Sequence, residues 1–113
     1  MLGARDDSLH YHLVKRVVVE RQWAWGTTAA QYLEDLRAAI LSRGSGLALY
    51  RRRGGSLAAV VAVTASVVPG ERLGPNSVAN LIAIYSADRD ILVTGYQLSR
   101  LEAAVPGDAL WLR

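Results

Sequence analysis

The fold class is decided by residues 28–68, TAAQYLEDLRAAILSRGSGLALYRRRGGSLAAVVAVTASVV, where the hydrophobic period changes from that of a helix to that of strands. The first part carries apolar residues three or four positions apart, as one face of a helix requires: Ala29, Leu33, Leu36 and Ile40. After residues 44–46, which include two glycines, the sequence becomes rich in valine and loses that spacing. We therefore predict a helix followed by a β-hairpin that turns at Gly54 and Gly55.

Both ends of this helix carry local signals. Thr28 and Gln31 stand three positions apart, as in a capping box, where the hydroxyl accepts from a helix amide and the glutamine reaches back. Gly44 follows the last periodic residues and predicts a left-handed stop. The helix is therefore predicted over residues 28–43.

An earlier stretch, residues 7–22, predicts another helix. Asp7 or Ser8 can cap its first turn, and its apolar positions recur at helical spacing: Leu9, Leu13, Val14, Val17 and Val18. Residues 17–19 are three consecutive valines, which are β-branched and favour strands. A strand is therefore an alternative for the second half of this segment.

Later apolar runs, bounded by turn residues, predict the strands of one sheet: 47–53, 56–68, 78–85, 91–97 and a short edge strand at 109–112. Helices first and strands later favour an α+β domain. We predict a single domain, residues 1–113, with two N-terminal helices packed on one face of a four- to five-stranded antiparallel sheet. Its core is expected to contain Leu33, Leu36, Ile40, Val61, Val63, Ile82, Ile84 and Val93.

The composition excludes several classes of protein. About half of the 113 residues are hydrophobic and a fifth are charged, as in ordinary globular domains and unlike disordered chains. Cysteine is absent, which removes disulfides and thiolate chemistry. The nearly apolar run 57–68 is too short to cross a membrane, and the first twelve residues lack the apolar core of a signal peptide. We therefore expect a cytoplasmic protein.

Motifs for common cofactors and metals are also missing from the sequence. The chain has no Walker-type loop, no GxGxxG after a strand and no GxSxG elbow. It has two histidines, and its carboxylates are scattered along the chain. We expect no cofactor and no metal site.

Basic side chains are concentrated in residues 1–53, which contain nine basic and five acidic side chains. His12 and Arg16 stand four positions apart and share a face of the predicted first helix, with Lys15 close to that face. Cleavage of a phosphodiester without a metal needs a group that titrates near neutrality and cations for the charge on the phosphorane. His12 can be the general base or acid, and Lys15 and Arg16 the cations. A solvated polar face with an incidental histidine is the alternative.

A second candidate group lies on the last long predicted strand. Alternation along that strand places Thr94 and Tyr96 on the same face. The two hydroxyls can position a phosphate, and Tyr96 can donate a proton. Threonine and tyrosine also favour strands for reasons of packing alone, which is the alternative.

Further arginines are candidates for binding phosphate groups: Arg21, Arg51, Arg52 and Arg53. The last three end a strand, where they can equally guard a sheet edge. Trp23 and Trp25 flank a loop beside the basic helix. A hydrophobic cover over the helix junction is the simpler interpretation of these two tryptophans, and base stacking is the alternative.

Together these residues resemble the barnase–EndoU–colicin–RelE group of small bacterial RNase toxins. The resemblance spans roughly residues 8–98 and is carried by segments that follow the order of the group: His12-Leu-Val-Lys-Arg16, Arg21, Thr27-Thr28, Tyr32 and Ile91-Leu-Val-Thr94-Gly-Tyr96. Many members place a histidine on an N-terminal helix and a threonine or serine with a tyrosine on a late strand. The resemblance implies a metal-independent endoribonuclease of toxin type, which cleaves RNA through a 2′,3′-cyclic phosphate.

Under that resemblance, the expected catalytic residues are His12, Lys15, Arg16, Thr94 and Tyr96, and the expected partners are RNA and an antitoxin or immunity protein. Two other functions fit the same residues. A non-catalytic nucleic-acid- or protein-binding module would need the basic face without a titrating group. A homodimeric interaction protein would pair through its apolar strands.

Overall fold

A computed structural model of the chain describes residues 6–42, 46–51, 57–86, 91–100 and 109–112. It confirms an α+β fold with two helices and a five-stranded antiparallel sheet. The elements are α1 Asp6–Val14, α2 Ala29–Leu41, β1 Gly46–Arg51, β2 Leu57–Thr64, β3 Asn80–Ser86, β4 Ile91–Leu98 and β5 Leu110–Trp111. None of the helices formed by these residues is long and apolar enough to cross a bilayer.

The first helix continues past α1 as a π-helical segment, Lys15–Val19, and ends three residues before the predicted end. The amide of Glu20 donates to the carbonyl of Lys15, 2.9 Å away and five residues back, which is the π pattern. Arg21 then takes a left-handed conformation with φ of 55°, just after the helix has ended. The strand alternative for the three valines is therefore wrong.

The second helix starts as predicted. Thr28 Oγ1 accepts from the amide of Gln31 at 3.1 Å, and Gln31 Oε1 accepts from the amide of Thr28 at 3.0 Å. The capping box is thus confirmed. The helix ends at Leu41, because Ser42 is already extended. The expected stop at Gly44 lies outside the described residues.

Replacing Thr28 with alanine is expected to lower the free energy of unfolding by about 1 kcal/mol, because a helix amide loses its acceptor. Urea denaturation followed by circular dichroism measures the change. Thr28→Ser, which keeps the hydroxyl, is the matched control and should stay close to wild type. Equal denaturation midpoints for the alanine and serine variants would show that the cap contributes nothing.

The five strands run in the order β4-β3-β2-β1-β5, and every neighbouring pair is antiparallel. β1 and β2 form the predicted hairpin, whose turn at Gly54 and Gly55 lies outside the described residues. β2 ends at Thr64, earlier than residue 68, because the chain turns there into a short 3₁₀ segment, Ala65–Val67. β4 forms one edge of the sheet, so its outer backbone groups are free to meet side chains from the helices.

Two clusters of buried side chains include residues of the sheet. The larger one joins residues of both helices to strand residues such as Leu81, Ala83 and Leu92. The smaller one contains Ala58, Val60, Ile82 and Ile84, with Tyr50, Tyr96 and Leu98 packed against it. Among the expected core residues, Leu36, Val61, Ile82 and Ile84 are buried, whereas Leu33, Ile40 and Val63 are partly buried. The side chain of Val93 lies outside what the structure describes.

A buried ion pair joins α2 to the loop before β3. The carboxylate of Asp35 is 1% exposed and accepts from Arg72 Nη2 at 2.6 Å and from Arg72 Nε at 3.0 Å. It also accepts from the indole nitrogen of Trp23 at 3.1 Å. The three donors compensate for the loss of water around this carboxylate.

Candidate functional site

The structure brings four of the predicted site residues together at the outer edge of β4. The ring nitrogen Nδ1 of His12 lies 3.1 Å from Thr94 Oγ1, although the two residues are 82 positions apart in sequence. Arg16 Nη2 donates to the same hydroxyl at 2.8 Å. The Arg16 guanidinium also lies over the ring of Tyr96, 5.0 Å from its centroid. His12, Arg16, Thr94 and Tyr96 therefore form one contiguous group, the edge cluster.

Arg16 differs from the solvent-facing cation that the sequence suggested. It is only 4% exposed, and its remaining contacts are to the protein: Nε donates to the carbonyl of Gly95 at 2.7 Å, and Nη1 pairs with Glu20 at 2.8 Å. The cation is therefore held by a carboxylate, a carbonyl and a hydroxyl. This arrangement fits a residue that positions Thr94 and Gly95 better than one that meets a substrate directly.

The hydroxyl of Thr94 orients the imidazole of His12. Since it accepts from Arg16, it can donate its own proton to Nδ1, or it can accept a proton from Nδ1 through its second lone pair. Nε2 makes no hydrogen bond with the described part of the chain, and it carries the lone pair that a base needs when Nδ1–H donates to Thr94. A ring fixed through one nitrogen with the other available is the usual arrangement of a histidine that moves protons.

The electrostatic surroundings of His12 favour its neutral form. Partial burial lowers the pKa of His12 below its ordinary value, and the positive charges of Arg16 and Lys15 lower the pKa further. A neutral imidazole can accept a proton at neutral pH, which is what a general base requires.

The imidazole of His12 is expected to titrate below about pH 6.5, the ordinary histidine value, because burial and the neighbouring positive charges disfavour its protonated form. Lys15→Gln should move this pKa upward, since it removes a like charge. The folded state binds this proton more weakly than the unfolded state, so stability should fall as the pH drops from about 6.5 towards the folded pKa. Proton NMR of the imidazole gives the pKa independently of activity. A His12 pKa at or above 6.5 in the wild type would contradict the assignment.

Tyr96 keeps its phenolic proton at neutral pH. It is half-buried, and burial raises the pKa of its phenol, an effect that the nearby Arg16 charge partly offsets. The phenol therefore stays protonated at neutral pH. The Arg16 guanidinium against its ring also fixes where the ring lies.

The backbone of β4 is shaped to present these side chains. The pairing with β3 is irregular between Ile84 and Tyr85: Ile84 lies opposite Thr94, but Tyr85 lies opposite Leu92. The extra residue is a β-bulge, a feature that often aims side chains near functional sites. Beyond it, Thr94 and Tyr96 face the same side, as alternation predicted.

Gly95 and Tyr32 hold the strand against α2. The hydroxyl of Tyr32 donates to the carbonyl of Gly95 at 2.6 Å and accepts from its amide at 3.2 Å. A Cβ added at Gly95 would lie 2.7 Å from Cδ1 of the buried Leu36. A larger residue at this position would therefore push β4 away from the helix.

Glu20 and Gln22 contribute contacts that the sequence interpretation missed. Glu20 is four residues after Arg16, a spacing that could have revealed the pair. Gln22 accepts from the amide of Gln97 at 2.7 Å and donates to its carbonyl at 2.8 Å, so its side chain pairs with the strand edge as a neighbouring strand would. No local pattern identifies that contact.

The other predicted residues stand apart from the edge cluster or outside the described residues. Lys15 is exposed beside Arg16, and Arg21 is exposed after the helix. Arg51 is exposed at the end of β1, and residues 52–53 lie outside the description. Within the described ranges, no group of three or more His, Asp or Glu side chains could hold a metal ion together.

The edge cluster thus combines an oriented imidazole, a buried cation, the hydroxyl of Thr94 and the ring of Tyr96. Comparisons with known proteins add no relative from which a role could be transferred. No protein-family model, no curated protein and no solved structure matches this chain.

Proposed function

We propose that this protein is a metal-independent endoribonuclease of toxin type, which cleaves RNA and leaves a 2′,3′-cyclic phosphate. The observation that carries the proposal is the contact between His12 Nδ1 and Thr94 Oγ1. Arg16 fixes the position of this hydroxyl by donating a hydrogen bond to it. This arrangement places a group able to move protons beside a hydroxyl and a cation, and proton movers and cations are what cleavage of a phosphodiester without a metal needs.

The proposed reaction uses the RNA's own hydroxyl as nucleophile. His12 Nε2 takes the proton of the ribose 2′-hydroxyl, and the 2′-oxygen forms a bond to phosphorus. The bond between phosphorus and the 5′-oxygen breaks, and Tyr96 donates a proton to the departing 5′-oxygen. Tyr96 is then reprotonated from solvent, and His12 returns its proton to solvent.

Charge on the phosphorane needs a cation that reaches the substrate. Lys15 is exposed and close enough to His12 to lower its pKa, so it is the proposed contact. Arg16 is proposed to contribute without touching the substrate. Its positive charge lies close to the site, and its hydrogen bond fixes the hydroxyl of Thr94, which positions the phosphate. Arg51, Arg52 and Arg53 are proposed to bind the flanking backbone.

The toxin class rests on the resemblance of residues 8–98 to the barnase–EndoU–colicin–RelE group. The packing of both helices on one sheet face belongs to the same proposal and is supported by the core cluster that both helices share. A toxin that cuts RNA acts in the cytoplasm and must be silenced in the cell that makes it. The proposed protein partner is therefore a small antitoxin or immunity protein.

The purified protein is expected to cleave a single-stranded RNA in excess EDTA, because the proposed mechanism uses no metal. Mass spectrometry of the fragments should show 2′,3′-cyclic phosphate ends. DNA of the same sequence is the matched control and should remain intact, since it lacks the 2′-hydroxyl. Loss of cleavage in EDTA, or equal cleavage of the DNA, would contradict the mechanism.

A non-catalytic binding module is the second candidate, and the burial of Arg16 favours it. A guanidinium that is neutralised by Glu20 and bonded to the strand can serve structure alone. In that case the basic surface would bind RNA or protein without turnover.

A further inference from the structure

The tryptophan Trp25 borders a cleft that the edge cluster does not use. Its side chain is 85% exposed, whereas Trp23, two residues earlier, is fully buried. The cleft has a volume of about 300 Å³ and is lined by Val17, Val18, Arg21, Trp23, Trp25 and Pro75. Clefts lined mainly by apolar and aromatic side chains, with one or two polar groups, are typical ligand sites.

Arg21 supplies the positive charge of this cleft. Its guanidinium forms no hydrogen bond or ion pair with any described residue, whereas Arg16 and Arg72 each hold a carboxylate. Its left-handed backbone is secured because its carbonyl accepts from the amide of Asn76 at 2.9 Å. Strained backbone of this kind persists where the surroundings enforce it and is concentrated at ligand sites.

The two features together match one chemical class of ligand. An exposed indole offers a flat surface on which a planar base stacks, and an exposed guanidinium that pairs with no described residue can bind a phosphate. A volume of about 300 Å³ is at the small end of ligand sites, which suits one nucleotide better than a protein segment. Bases are free to stack in this way only in a single strand.

We infer that the cleft is a subsite for one nucleotide of single-stranded RNA, with its base on Trp25 and a phosphate on Arg21. The inference rests on the proposed function and names the part of the substrate that lies beside the cleaved bond. Two of the residues that line the cleft, Val17 and Val18, lie on the same helix as His12. Val18 follows His12 by six residues, which corresponds to a separation on the order of 10 Å along the axis. A neighbouring nucleotide of the bound strand spans such a distance.

Binding is tested with a fluorescein-labelled single-stranded RNA of ten nucleotides, followed by anisotropy in the His12→Ala background so that no cleavage occurs. Trp25→Ala is expected to weaken binding roughly 5- to 160-fold, the range for loss of one base–aromatic stack. Trp111→Ala removes another exposed tryptophan, on the edge strand β5, and is the matched control. Near-UV circular dichroism from the buried Trp23 verifies that each variant is folded.

Arg21→Gln is expected to weaken binding and to lower the slope of log Kd against log salt by about 0.7, the value for one phosphate contact on a single strand. Arg21→Lys keeps the positive charge, so its slope of log Kd against log salt should stay close to that of the wild type. Binding of poly-L-glutamate is measured in the same way, because this polymer stands for an acidic protein partner.

The outcomes separate this inference from the proposed function. Cleavage by the wild type combined with unchanged RNA binding by Trp25→Ala would overturn the inference and leave the endoribonuclease standing. Trp25-dependent RNA binding by a protein that never cleaves would support the inference and refute the endoribonuclease. Binding of poly-L-glutamate as tight as that of RNA, with no dependence on Trp25, would overturn the inference in favour of an acidic protein partner.

Discussion

His12→Ala is expected to lower kcat/KM for RNA cleavage by about 10²- to 10⁴-fold, the usual contribution of one general acid or base. The expectation follows from the geometry: Nδ1 is held by Thr94, and Nε2 is left to meet the 2′-hydroxyl. Because the imidazole takes up the proton in the transition state and not in the bound substrate, its loss should reduce kcat more than it raises KM. Cleavage of a labelled RNA under single-turnover conditions measures the effect.

The control for this variant is the neighbouring histidine. His10 is exposed and belongs to the same helix, but it is outside the edge cluster, so His10→Ala should cleave like the wild type. RNA binding by His12→Ala should also remain near wild type, since a base is not a binding group. A His12→Ala variant that cleaves normally would contradict the assignment of His12 as the general base, and a wild type that binds RNA without cleaving it would leave the binding module.

Asp35→Ala is expected to lower the free energy of unfolding by about 3–5 kcal/mol, the cost of removing one partner from a buried ion pair. The carboxylate is 1% exposed and binds both Arg72 and the indole of Trp23, so its loss leaves a partly buried guanidinium and a buried indole nitrogen without this acceptor. Urea denaturation of the two proteins gives the difference directly.

Glu34→Ala is the matched control, because Glu34 is an exposed acid on the same helix and should change stability by about 0.5 kcal/mol or less. A second variant tests the cause. If the cost arises from the unpaired charge, then Asp35→Ala combined with Arg72→Met should lose less stability than the sum of the two single changes. Equal losses for Asp35→Ala and Glu34→Ala would show that the pair contributes little.

Local spacing alone was enough to predict the second helix and the strands that follow it. The hydroxyl of Thr28 and the amide of Gln31 interact across three residues, so the capping box is contained in the sequence and forms wherever the helix forms. The change to runs of β-branched residues likewise identified the strands, whose bounds differ from the prediction by a few residues. The α+β class followed from the order of these elements.

The first helix was predicted less well, because its end depends on distant contacts. Nothing local distinguishes the π segment Lys15–Val19 from a continued α-helix or a strand of valines. The segment ends where Arg21 turns and where Asn76, more than fifty residues later, donates to the Arg21 carbonyl. Sequence periodicity carries no information about such a contact.

The sequence by itself supplied the candidate residues of the site: His12 and Arg16 through helical spacing, and Thr94 and Tyr96 through strand alternation. Only the tertiary structure decided that they meet, because β4 lies at the sheet edge beside the first helix and a bulge precedes Thr94. It also decided that Arg16 is buried against Glu20 and Gly95. The physical reason is that spacing determines which side chains share a face, whereas strand order and packing determine what that face touches.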